Sequence, residues 1–96
     1  MAEKIRVNYP ALEDMAKHCQ MVAGKLQQTA QLANKIAAQM QNGALVGKPG
    51  DAFVQALGVL AQRTMKLSGK FVEVSNDIKQ AMSDMQAADS AAGGNF

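Results

Sequence analysis

Tryptophan is absent from this 96-residue chain, and one tyrosine with three phenylalanines makes up its whole aromatic content. So thin a supply points away from a β-sandwich, whose core draws on aromatic and β-branched residues, and the abundance of Ala, Gln, Lys and Met points towards helices. His18 and Cys19 are the only histidine and the only cysteine. A single cysteine closes no intrachain disulfide, and one histidine beside it leaves no further nitrogen or sulfur ligand at metal-binding spacing. No stretch reaches the roughly 18 apolar residues of a membrane span, and no basic segment leading into an apolar core opens the sequence, so neither a span nor a Sec signal peptide is expected. The formal charge is +2, with Lys and Arg dispersed. The clustered basic footprint of a nucleic-acid binder is therefore missing, and no nucleic-acid partner is expected.

Proline and glycine are scarce within the periodic parts of the chain and dense in one place, Gly43-Ala44-Leu45-Val46-Gly47-Lys48-Pro49-Gly50-Asp51. Asn42-Gly43 is suited to stop a helix, because glycine takes the positive φ that ends one. Pro49 cannot sit in a helix interior, and Gly50-Asp51 offers a cap for a second helix. The expectation is one all-α domain over residues 1–96, an antiparallel helical hairpin. Its first helix runs over about 9–41, the turn over about 42–51 and the second helix over about 52–89, with a mobile tail to residue 96. Asn8 is placed to cap the first helix, with Pro10 in its first turn.

In the first helix Leu12, Met15, Cys19, Val22, Leu26, Thr29, Ala33, Ile36 and Met40 alternate at steps of three and four, the spacing of a coiled-coil seam. Beside it runs a row of small residues at seven-residue steps, Ala16, Ala23, Ala30 and Ala37. In the second helix Phe53, Leu57, Leu60, Thr64, Leu67, Phe71, Val74, Ile78, Ala81, Met85 and Ala88 repeat the alternation. A patchier row of Val54, Ala61, Met65, Val72 and Met82 lies next to them. One hairpin has a single internal face and cannot cover two rows on each helix, so the alanine row together with Val54, Ala61, Met65 and Val72 is expected to form a dimer interface, two hairpins making a four-helix bundle.

Nothing in the sequence assembles a catalytic site. Glu13 and Asp14 suit the positive end of a helix dipole better than acid/base work, because adjacent helical positions point in different directions. Gly43, Gly47 and Gly50 do not follow a strand and have no lysine where a phosphate loop needs one. No catalytic, metal-binding or cofactor-binding residue is expected, and no cofactor.

The turn and the C-terminal end together resemble those of the WXG-type, ESAT-like helical hairpins secreted by type VII (ESX) systems. Leu45-Val46-Gly47 followed by Phe53 has the spacing of that family's Trp-x-Gly turn and the aromatic eight residues beyond the tryptophan position. Met85, Asp89, Ala92 and Phe96 are similar to its C-terminal export pattern of a bulky residue, an acid four later, an apolar residue three after that and a bulky residue four further on. Two positions depart from the pattern: Leu45 stands for the tryptophan, and Met85 for the aromatic often found at the start of the export pattern. The resemblance implies a non-enzymatic interaction module that pairs with itself or a paralogous hairpin, is cytoplasmic before export, and is secreted without a Sec signal when the secretion motor ATPase reads its tail. The alternative is a cytoplasmic adaptor or targeting chaperone for a larger helical toxin or effector. A membrane-active role for Val54, Met65 and Val72 ranks below both, since dimerisation accounts for the same row.

Overall fold

Asn8 starts the first helix. Its side-chain oxygen accepts a 3.1 Å hydrogen bond from the Ala11 amide, a donor that the first turn would leave open, and its carbonyl accepts the first bond of the helical ladder from Leu12 at 3.1 Å. Helix α1 then spans Tyr9–Gln39, with Pro10 in the first turn where its missing N–H costs nothing. The chain is seen in a computed structural model that describes residues 7–44 and 47–93. After α1 comes a widened, π-type turn over Met40–Ala44, in which Gly43 adopts φ 112°. Helix α2 spans Lys48–Gly93. The two helices run antiparallel as a rod measuring 74 × 22 × 15 Å.

Helix α2 starts at Lys48 rather than near residue 52. Gly47, at φ 111°, turns the chain into the helix, and its carbonyl accepts the Asp51 amide at 3.0 Å. Pro49 and Gly50 thus sit in the first turn, where proline is tolerated, and Asp51 lies there as an anion near the positive dipole end instead of capping. At the other end the alanine-rich stretch around Ala87, Ala88, Ala91 and Ala92 carries the helix past Asp89 to Gly93. Residues 90–93, expected in a mobile tail, are therefore helical.

The interior of the hairpin is built from small side chains. Ala16, Ala23, Ala30 and Ala33 of α1 and Ala61 of α2 are each between 1 and 4% exposed, and they meet the buried Thr64, Ser68 and Ser75. Half-buried Leu12, Cys19, Leu26 and Ala37 continue the inward row of α1, as Leu57, Phe71, Ile78 and Met82 do on α2. An alanine row lets helix backbones approach closely. The serines exploit that approach: the Ser68 hydroxyl donates to the Ala23 carbonyl at 2.8 Å, and the Ser75 hydroxyl to the Ala16 carbonyl at 3.0 Å. Thr64 turns its hydroxyl back to its own helix, donating to the Leu60 carbonyl at 2.6 Å. Each buried hydroxyl is thereby satisfied, as burial requires.

This arrangement corrects the expected interface. Ala16, Ala23, Ala30 and Ala61 lie between the helices of one hairpin, and a side chain with at most 4% of its surface left offers almost nothing to a second molecule. Ala37 and Val54 are half-buried, while Met65 and Val72 are exposed. The seam residues of every other step, Met15 and Val22 on α1 and Phe53, Leu60, Leu67 and Val74 on α2, stay exposed instead. Two apolar rows competed for the inside of each helix. The row of smaller residues won because it permits the closer approach and the serine–carbonyl bonds.

Candidate functional site

The two flanks of the hairpin differ. On one flank, a groove lined by Asn34 with Gly58, Ala61, Gln62, Met65 and Lys66, and another lined by Glu13, Lys17 and Gln20 with Lys79, Met82, Ser83 and Gln86, are rimmed by charged and amide side chains. Met65 and Val72 are its large exposed apolar residues. On the opposite flank Asn8, Ala11 and Leu12 face Ala81 and Met85 across a shallow apolar groove. Seven-residue steps from Asn8 lead to Met15 and Val22, and steps back from Ala81 lead to Val74, Leu67, Leu60 and Phe53, so these residues share that flank. They are between 37 and 53% exposed. A ladder of large apolar side chains thus runs along one side of the rod from both helices, a continuous surface of the kind that marks a protein contact. Met21, Leu32 and Val59 are exposed as well.

At the turn, Gly47 holds φ 111°, and a Cβ placed on it would meet nothing nearer than the Pro49 ring at 3.9 Å. The conformation, not crowding, calls for glycine there. Phe53 is 47% exposed one turn into α2. Leu45, which stands at the tryptophan position of the turn pattern, lies outside the described residues.

Of the C-terminal positions, Met85 and Asp89 are engaged with α1. Met85, half-buried, lines the groove with Val7, Ala11 and Leu12. The Tyr9 hydroxyl donates a 2.7 Å hydrogen bond to Asp89 Oδ2. That bond, followed by desolvation and the charge of the carboxylate, holds the Tyr9 phenol above its ordinary pKa. Ala92 is exposed in the last turn of α2, and Phe96 lies outside the described residues. Nothing local in the sequence signals the contact, because Tyr9 and its partner are 80 residues apart. Only the pairing register of the helices brings them together.

Among the described residues no group of three His, Cys, Asp or Glu side chains is placed to hold a metal ion, and no helix is long and apolar enough to cross a membrane. Cys19 is a free, half-buried thiol on the inward row of α1. Glu13 pairs with Lys17 at 3.6 Å in an exposed contact along the helix, which holds little.

Over residues 4–90 the chain matches a family model, WXG100, described as proteins of 100 residues with WXG. The matched span includes Leu45-Val46-Gly47, Phe53, Met85 and Asp89 and ends before Ala92 and Phe96. No curated protein and no solved structure matches the chain.

Proposed function

Because the chain belongs to the WXG100 family of small ESAT-like helical hairpins related to type VII secretion, we propose that it is a non-enzymatic, secreted protein-interaction module, a type VII substrate or export partner that works as a homodimer or heterodimer. The observation that carries the proposal is the apolar flank. A two-helix rod whose interior is alanine and serine buries little apolar area of its own, and it leaves Met15, Val22, Leu60, Leu67 and Val74 in water on one side. A second hairpin laid along that flank removes them from solvent and completes a four-helix bundle. The partner is thus another copy or a paralogous hairpin. The polar flank, where Met65 and Val72 sit, remains outward.

In this reading Met85, Asp89, Ala92 and Phe96 form the face that the secretion motor ATPase takes up, with Asp89 supplying the charge. In the same reading the protein is cytoplasmic before export and leaves through the type VII channel. A second reading, a cytoplasmic adaptor or targeting chaperone that holds a larger helical effector, is favoured by the two departures from the family pattern, Leu45 at the tryptophan position and Met85 at the start of the export pattern. Both readings require the apolar flank, and only the first requires the protein in the medium.

Fractionation of a producing strain separates the two, and mass measurement of the purified chain across a dilution series tests the pairing. Protein in the culture medium together with a dimer that dissociates on dilution supports the secreted module. A chain retained wholly in the cells and captured with a larger effector supports the adaptor. A folded monomer at all concentrations, with no hairpin partner in the producing strain, removes the basis of both.

A further inference from the structure

The contact between Tyr9 and Asp89 joins the first turn of α1 to the last turns of α2. Among the described residues it is the one hydrogen bond between the helices that runs from side chain to side chain. Its placement has an electrostatic logic. A carboxylate near the C-terminal end of its own helix meets the negative end of the macrodipole, where an acid is disfavoured. The antiparallel hairpin brings Asp89 beside the N-terminal end of α1, where an anion is favoured and where α1 has no acid in its own first turn. The Tyr9 hydroxyl engages Oδ2 only, and Oδ1 accepts no hydrogen bond from the described residues. Met85, one helical turn before Asp89, is held at the same end of the rod by the groove it shares with Val7, Ala11 and Leu12.

We propose that Tyr9 is a positioning residue for export: its hydroxyl fixes the Asp89 carboxylate so that Oδ1 is presented to a cationic side chain of the secretion machinery, and the recognised element is a two-helix surface that exists only in the closed hairpin. The inference rests on the reading of Asp89 as a residue the motor takes up. Its consequence is that recognition reports folding. An unfolded or partly opened chain carries the same C-terminal residues but lacks the tyrosine that aims the acid, and a linear C-terminal peptide is a poorer ligand than the intact hairpin.

The test compares Tyr9→Phe, Asp89→Asn, the double variant and Ser68→Ala in a producing strain, scoring the secreted fraction of the full chain. Melting temperature and amide hydrogen exchange are measured on the same purified proteins. Tyr9→Phe keeps the ring and deletes one hydroxyl. The expected result is a secreted fraction reduced about fivefold or more, the scale of one lost charge-assisted hydrogen bond, with faster exchange at the amides around Asp89 and unchanged exchange around Ser68. Asp89→Asn loses export, the double variant is no worse than Asp89→Asn alone, and Ser68→Ala, which loosens the hairpin far from its open end, exports normally. If Asp89→Asn loses export while Tyr9→Phe is secreted as well as the wild type or better, the role of Tyr9 is overturned and the reading of Asp89 stands. If Asp89→Asn is secreted normally, that reading falls and the role of Tyr9 with it. If Ser68→Ala loses as much export as Tyr9→Phe for an equal fall in melting temperature, the effect is one of overall stability and the positioning role is overturned.

Discussion

Ser68 donates its hydroxyl to the Ala23 carbonyl at 2.8 Å, a side chain on one helix reaching the backbone of the other. That contact exists only because residue 23 carries nothing beyond Cβ, and the same pairing recurs seven residues along, where Ser75 reaches the Ala16 carbonyl. Ala23→Leu is expected to force the helices apart and cost roughly 1–3 kcal/mol, the usual penalty for overpacking a close contact. Ser68→Ala removes only the donor, since the Ala23 carbonyl lies within α1 where a helical amide can still pair with it, and is expected to cost about 1 kcal/mol. Denaturant unfolding checks the order. An Ala23→Leu variant as stable as the wild type would mean that the helices do not pack on this row.

Glutamate scanning separates the inside of the hairpin from its flanks. Leu67→Glu, on the apolar flank, is expected to leave α1 and α2 paired while weakening dimerisation by about 2 kcal/mol or more, roughly thirtyfold. Met65→Glu, on the polar flank, is expected to change the dimer little. Ala30→Glu differs from both, because residue 30 is 1% exposed within a single chain and an unpaired charge there opens the hairpin itself. Sedimentation with circular dichroism reads mass and helicity together. Dissociation by Met65→Glu with Leu67→Glu still dimeric would put the partner on the other flank.

Two helices and the place where they part are legible in the residue pattern, because three-four periodicity, an Asn cap and Asn-Gly are local signals. The inward face is legible only in half: Leu12, Cys19, Leu26, Leu57, Phe71 and Ile78 of the seam do line it, and Met15, Val22, Leu60 and Leu67 do not. Met15 and Val22 are larger and more apolar than Ala16 and Ala23, and a reading by size puts the large residues inside. Packing instead selects the small ones, which let backbones approach and serines donate across. The start of α2 was obscured by Pro49, which breaks a helix in its interior and is tolerated in its first turn. Tyr9 with Asp89 illustrates the remaining gap: each residue is visible, but their proximity follows from how far one helix slides along the other, which no short segment of the chain encodes.

The turn depends on backbone conformation at two glycines, Gly43 at φ 112° and Gly47 at φ 111°. Gly47→Val places a β-branched side chain in a left-handed conformation and is expected to destabilise the hairpin by roughly 1–3 kcal/mol or more. Lys48→Ala, at the exposed first residue of α2, is expected to stay within about 0.5 kcal/mol of the wild type. Thermal melts of the two variants decide it. Coincident melts would show that Gly47 leaves its positive φ in solution at no cost.

The last prediction concerns pH and isolates a single proton. The hydrogen bond to Asp89, ahead of desolvation and the charge of the carboxylate, raises the Tyr9 phenol above its ordinary value of 10.0. A phenol whose pKa is raised by folding keeps its proton in the hairpin after the unfolded chain has released its own. Its contribution to stability is therefore complete below the unfolded value of about 10 and is lost as the pH climbs through the folded one. The difference in melting temperature between wild type and Tyr9→Phe is expected to be constant up to about pH 9 and then to shrink, as phenolate and carboxylate come to repel. Exchange at the amides around Asp89 should follow the same profile in the wild type and show none of that phenol-linked change in the variant. Parallel melting curves through about pH 11 would show that the Tyr9 hydroxyl does not hold Asp89 in solution, and the end of the hairpin would then be closed by the Met85 groove alone.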